Sequence, residues 1–207
     1  MKFPTGIYPV ITEKFCKNRD WLKILRAVLK GGAKAVQLRE KEKSKKEILK
    51  MAEKYRAATY GYKAVLIIND HIDVAMAVNA DGVHLGQDDM PCNYARKIAP
   101  SMIIGVSTHN RKEALKAQRD GADYINIGPV FPTKTKENVY KPLGIKGIKR
   151  VSKGLKIPFT VMGGINRKNI GEAAAAGAKR AALVTGITRA PDPEKEIKLL
   201  RRIMNEI

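Results

Sequence analysis

Apolar residues in this chain come in short, dense runs separated by longer segments where they recur three or four apart. Gly6-Ile7-Tyr8-Pro9-Val10-Ile11 is the first run and reads as a strand. Trp21, Leu22, Ile24, Leu25, Val28 and Leu29 follow at helical spacing, and Gly31-Gly32 ends that helix. Ala33 to Leu38 is the second strand. Ser44 opens a helix to about Tyr60, with Glu47 three residues on completing a capping box. The alternation continues with strands at Val65–Ile68, Gly82–Leu85, Met102–Val106, Tyr124–Ile127, Phe159–Met162 and Ala181–Val184. The intervening helices are predicted at Ile72–Val78, Pro91–Ala99, Arg111–Arg119, Ile145–Ser152 and Arg167–Ala176, and Pro193–Met204 closes the chain. A long loop, Pro129 to Pro142, separates the sixth strand from its helix.

This pattern holds eight strand–helix units. Short, wholly apolar strands alternating with helices imply a parallel sheet covered on both faces. Eight units imply an α/β fold of the (β/α)8 TIM-barrel type, here a compact single domain over residues 1–207. A doubly wound open sheet is the alternative, but no Gly-x-Gly-x-x-Gly follows an early strand.

Composition changes the picture in one respect. The chain has 40 Lys+Arg against 20 Asp+Glu, a net charge of +20, within an ordinary hydrophobic content of 44%. The bases are spread along the chain without aromatic interleaving, which argues against nucleic acid as a partner. Ala64 to Ala95 contains none of them, yet carries Asp70, Asp73, Asp81, Asp88 and Asp89. An acidic pocket in a basic protein suggests a metal held for an anionic substrate, with bases excluded so that none competes for Asp70 or Asp89. Cys16 and Cys92 form no metal or disulfide motif, so a cytoplasmic location is expected. There is no signal-like or membrane-length apolar run. Homo-oligomerisation is left open.

In a barrel of this type the active site lies where the strands end. Gln37, Arg39 and Lys41 follow strand two, Asn69 and Asp70 strand three, and Gln87, Asp88 and Asp89 strand four. Ser107, Thr108 and His109 follow strand five. Thr133, Lys134, Thr135 and Lys136 lie in the loop after strand six, with Gly163-Gly164 after strand seven and Thr185-Gly186 after strand eight. Arg39, Lys41 and Lys136 offer cations for phosphates. Asp70 and Asp89 come from adjacent strands and could share one Mg2+, an ion commonly held by one or two carboxylates plus substrate phosphates. Asp70 could equally cap the next helix, Thr133 to Lys136 could be a solvated turn, and Gly163-Gly164 could be a turn alone. His84 reads as a satisfied core residue. No zinc spacing and no Gly-x-Ser-x-Gly nucleophile motif is present.

The order of these motifs resembles the thiamine phosphate synthase family over nearly the whole chain. Val36-Gln37-Leu38-Arg39-Glu40-Lys41, Ile68-Asn69-Asp70 and Ala80 to Pro91 carry the resemblance. So do Gly105-Val106-Ser107-Thr108-His109, Gly121-Ala122-Asp123-Tyr124, Gly128 to Lys136 and Gly163-Gly164-Ile165. The resemblance implies Mg2+-dependent, dissociative joining of hydroxymethylpyrimidine diphosphate to hydroxyethylthiazole phosphate. It implies that Gln37, Arg39, Lys41 and Asn69 hold the diphosphate and that Asp70 and Asp89 hold Mg2+. Ser107 and Lys136 would contact the diphosphate or pyrimidine end, and Thr133, Thr135, Gly164, Val184 and Thr185 the thiazole phosphate. Arg39, Lys41, Ser107 and Lys136 would be catalytic. Arg180 departs from the family pattern, which has Gly before the last strand; only packing at the bottom of that strand is put in question.

Overall fold

The computed structural model describes residues 3–133, 135 and 140–205. Among these, the strands are Gly6–Ile11 (β1), Ala35–Leu38 (β2), Val65–Asn69 (β3), Gly82–Leu85 (β4), Ile103–Thr108 (β5), Tyr124–Ile127 (β6), Phe159–Met162 (β7) and Arg180–Leu183 (β8). They form a closed barrel in chain order, every pairing parallel, with β8 returning to β1 through Gly6 opposite Arg180. The helices are Trp21–Lys30 (α1), Lys45–Gly61 (α2), Ile72–Ala77 (α3), Cys92–Ile98 (α4), Arg111–Arg119 (α5), Gly144–Ser152 (α6), Ile170–Ala175 (α7), Thr185–Thr188 (α8) and Pro193–Asn205 (α9). Among the described residues, no helix is long and apolar enough to cross a membrane. The (β/α)8 barrel expected from the hydrophobic pattern is the fold.

Local chemistry sets the helix starts. Asp20 accepts a hydrogen bond from Leu22 N–H at 2.8 Å and caps α1, whose Ile24, Leu25, Val28 and Leu29 then face inward. Ser44 and Glu47 form the expected reciprocal box at the start of α2. α7 begins at Ile170 rather than Arg167, because Asn166 Oδ1 takes the Lys168 N–H at 2.9 Å and holds a turn there. α8 is an addition to the expected elements; a single turn is too short to show a period in sequence.

The apolar side chains divide into two bodies. One lies between the sheet and the surrounding helices. The other fills the barrel itself with Phe3, Tyr8, Val10, Ala35, Val65, Ile67, Ile103, Tyr124 and Ala182. Phe3 plugs the end of the barrel where the strands begin, its ring stacked on Tyr124 at 3.9 Å. Arg180 fastens that plug: its guanidinium donates to the carbonyls of Pro4 at 2.9 Å and Phe3 at 3.0 Å. The residue that stands where glycine was expected therefore has a structural task.

Two aspartates stitch the same end. Asp81 Oδ2 accepts from Leu66 N–H of β3 and from Arg56, both at 2.8 Å. Asp123 Oδ2 accepts from Ile104 N–H of β5 at 2.7 Å and from Arg96 at 2.5 Å. The recurring Ala-Asp before a strand is thus a clamp onto the preceding strand, reinforced by an arginine from a neighbouring helix.

Candidate active site

The opposite rim gathers the residues singled out at the strand ends. The β2 strand carries Gln37, fully inside the barrel, and then releases Arg39, half-buried, and Lys41, exposed. Ser107 and Thr108 belong to β5 itself, not to the loop after it, so the Ser107 side chain is held by strand geometry. Asp70 leaves β3 with φ 61°, the left-handed region, and its N–H donates to the His84 carbonyl of β4 at 2.8 Å. That bond turns the carboxylate toward the β4 loop, where Asp89 Oδ2 accepts the Gly86 N–H at 2.7 Å. Asp70 does not cap α3; His71 occupies the cap position without a side-chain bond.

Asp70 and Asp89 meet. Burial and the hydrogen bond to Asp89 push the Asp70 carboxyl above its usual range. Burial acts on Asp89 in the same sense, but its hydrogen bonds with Asp70 and the Gly86 N–H outweigh it and hold the carboxyl low. Two carboxylates brought together raise the proton affinity of one of them. Lys41 pairs with Asp70. The absence of bases from Ala64 to Ala95 therefore does not keep Asp70 unpaired, because a lysine from the neighbouring strand end reaches it. Lys45 and Arg56 reach Asp73 and Asp81 in the same way.

Two adjoining cavities open on this rim. The outer, of about 1360 Å³, is lined by Arg39, Lys41, Gln87, Asp88, Asp89 and Ser107 among others. The inner, of about 530 Å³, holds Gln37, Asn69, His84, Thr133, Gly164, Val184 and Thr185. Arg39, Ser107 and Thr135 line both. Lys134 and Lys136 lie outside the described residues. Every other residue expected in the site is thus brought to one rim, with Asp70 joined through Lys41 and Asp89.

The inner cavity has a largely uncharged floor. Asn69, 6% exposed, keeps a buried Nδ2 without a hydrogen-bond partner among the described residues, a donor available to a ligand. Gly163 and Gly164, at φ 98° and 64°, let the loop after β6 lie alongside: a Cβ on Gly164 would stand 2.4 Å from the Pro132 carbonyl oxygen. They make a turn and also line the cavity.

Some lining residues were not singled out from sequence. Asn126, in the apolar run of β6, lines the inner cavity and accepts from Thr160 Oγ1 at 2.6 Å; a buried polar residue in an apolar strand was the available signal. Arg189 and Phe15 line the cavity from segments without a periodic pattern. His109, already named from sequence after strand five, is held by Glu113 at 2.9 Å and stacks on Tyr140 at 3.7 Å, a partner the sequence did not indicate. Burial pushes the thiols of Cys16 and Cys92 up to about 11, which leaves neither as a thiolate nucleophile at neutral pH.

Oxygen donors in a carboxylate pair suit Mg2+, an ion that proteins commonly hold through one or two carboxylates. Among the described residues no third acid, histidine or cysteine joins them. A closed parallel barrel with an acid pair, flanking cations and a polar cavity at the strand ends defines a TIM-barrel enzyme. Residues 7–187 match the family model described as thiamine monophosphate synthase. The thiamine-phosphate synthase of Shouchella clausii is 42% identical over 204 residues, covering 98% of each chain. That of Pyrococcus abyssi is 42% identical over 198 residues, covering 96% of this chain and 94% of its own. The thiamine phosphate pyrophosphorylase from Pyrococcus furiosus superposes with a TM-score of 0.90 at 35% identity, covering 98% of this chain and 96% of that one. The chain belongs to the thiamine monophosphate synthase family.

Proposed function

We propose that this chain is a Mg2+-dependent thiamine-phosphate synthase, joining hydroxymethylpyrimidine diphosphate to hydroxyethylthiazole phosphate and releasing pyrophosphate. The observation that carries the reading is the Asp70–Asp89 pair beside Arg39 and Lys41, standing over a largely uncharged cavity that runs to Gly164, Thr185 and Arg189. One rim offers a cationic and metal-ready end for a diphosphate. The other end of the cavity offers backbone and hydroxyl groups for a single phosphate. Two phosphorylated substrates fit that division.

Bound Mg2+, held by Asp70 and Asp89, would supply charge neutralisation for the diphosphate. Arg39, Lys41 and Lys136 would stabilise the charge that grows on departing pyrophosphate, with the Asn69 Nδ2 as a further donor. The bond between the methylene carbon and the diphosphate oxygen breaks, its electron pair leaving with pyrophosphate. The electron-rich pyrimidine stabilises the cationic methylene. The thiazole nitrogen then donates its lone pair to form the new carbon–nitrogen bond. Thr133, Thr135, Val184, Thr185 and Gly164 would hold the thiazole phosphate so that this nitrogen faces the methylene. The chemistry calls for no protein nucleophile, in keeping with two buried thiols of raised pKa.

Incubating the protein with both substrates and Mg2+ should yield thiamine phosphate and pyrophosphate in equal amounts, separable by chromatography. Absence of product with both substrates present overturns the assignment.

A further inference from the structure

Five polar side chains, one from each of β1, β2, β4, β5 and β6, form a continuous line inside the barrel. Gln37 Nε2 donates to the Tyr8 hydroxyl at 2.7 Å, and that hydroxyl lies 3.1 Å from the hydroxyl of Tyr124. The Tyr124 hydroxyl is 3.0 Å from His84 Nδ1, and His84 Nε2 is 2.9 Å from Ser107 Oγ. Tyr8, Gln37, His84 and Tyr124 are all 5% exposed or less. The backbone makes room for the line: a Cβ on Gly105 would stand 2.1 Å from Cζ of Tyr124. Both ends of the line, Gln37 and Ser107, face the same cavity.

Each tyrosine hydroxyl has one proton and two neighbours in the line, and a buried O–H without an acceptor is costly. Each must therefore donate to one side and accept from the other. A neutral imidazole behaves likewise, with one N–H and one bare nitrogen. The direction set at one end is thus transmitted to the other. In the arrangement described, Gln37 gives an N–H to Tyr8 and keeps its carbonyl for the cavity. The line then runs through Tyr124 to His84 Nδ1, so His84 Nε2–H donates to Ser107, whose own O–H is left to donate into the cavity. Reversal of the line reverses both ends: Gln37 turns its amide and offers N–H, while Ser107 offers only lone pairs. Both tyrosines stay neutral, since burial raises their pKa.

We propose that Tyr8, Tyr124 and His84 are positioning residues that lock Gln37 and Ser107 into opposite hydrogen-bonding roles, one acceptor and one donor, toward the ring of the diphosphate substrate. The proposal rests on the function given above. Gln37 and Ser107 lie on β2 and β5; Arg39 follows Gln37 off the same strand, and Ser107 lines both cavities together with Arg39. A substrate anchored there by its diphosphate lays its aminopyrimidine against them. An aminopyrimidine edge sets a ring-nitrogen acceptor beside an amino donor, which an opposed pair matches and a like pair does not.

Tyr124→Phe removes the middle of the line and keeps the ring stacked on Phe3. The KM for the pyrimidine diphosphate should rise about tenfold, the loss of roughly one hydrogen bond, while the KM for the thiazole phosphate stays unchanged. Discrimination against an analogue with an oxo group in place of the amino group should fall by a similar factor. Nitrogen NMR of His84 should show one neutral tautomer in the unaltered protein and a mixture in the variant. Tyr8→Phe, broken at a different link, should give the same pattern, and thermal melts establish that each variant is folded. A KM that does not move, two KM values that rise together, or an unchanged His84 tautomer overturns the proposal. If the unaltered protein makes no thiamine phosphate, the functional reading fails. The line is then judged by NMR alone: Gln37→Leu should alter the His84 tautomer, and an unchanged tautomer overturns it.

Discussion

The two ends of this barrel use the same side chain for opposite purposes. Where the strands begin, Asp81 and Asp123 each accept one backbone N–H and one arginine. Their charge is answered on the spot and ties one strand to the next. Where the strands end, Asp70 and Asp89 face each other, and burial drives the Asp70 carboxyl upward. There Lys41 pairs with Asp70 and the Gly86 N–H donates to Asp89, yet the two carboxylates still crowd each other at the edge of a cavity. In a parallel barrel all strands start at one end, so each end can be given a separate task, and a carboxylate's role follows from which end it occupies.

The sharpest way to break this comparison is to remove one acid from each end. Asp89→Ala should lower turnover about 10²-fold or more, the scale of losing a group that stabilises transition-state charge, and weaken the dependence on Mg2+. Its melting temperature should hardly change. Steady-state assays over a range of Mg2+ concentrations read the effect; unchanged kinetics would remove Asp89 from the site.

Asp123→Ala should do the reverse. Losing the bond to Ile104 N–H and leaving the half-buried Arg96 without its carboxylate should cost about 1–2 kcal/mol of stability, with kcat per folded molecule retained. Denaturant unfolding measures the first and an assay below the melting temperature the second. A stable variant with poor turnover would mean that this end also serves catalysis.

The smallest effect separates the ends by pH. Asp70 has a carboxyl pKa above its ordinary 3.8 in the folded protein. The folded state therefore binds more protons than the unfolded state between those two values, and stability from this group falls as pH rises through that window. Asp70→Asn removes the titration. It should raise the melting temperature slightly at pH values above the raised Asp70 pKa, where burial works against the ionised carboxylate, and change it little near pH 3, where both states are protonated. Asp123→Asn should lower the melting temperature at neutrality. Melts of both variants across pH test this, and a loss in Asp70→Asn above that pKa would contradict the unfavourable burial of that charge.

Much of this was legible in the sequence. The strand–helix alternation, the Ser44–Glu47 box and the gathering of Arg39, Asn69, Asp70, Asp89 and Thr185 at strand ends all follow from local patterns. Elements ending in short turns were less so: α8 and the late start of α7 depend on one-turn hydrogen bonding by Val184 and Asn166. Asp81 sat among the acids of the base-free stretch in sequence. Its separation from Asp70 and Asp89 comes from lying before a strand and not after one.

By itself the sequence determined the period of its apolar residues, hence which segments are strands and helices, and the order in which chemistry appears along the chain. It also carried the family. The tertiary structure decided which groups touch. Asp70 and Asp89 lie nineteen residues apart yet come close enough to shift each other's pKa, and Tyr8 meets Tyr124 across 116 residues. Periodicity is a property of neighbours in the chain, whereas a shifted pKa or a line of hydroxyls requires side chains from separate strands to close on one axis.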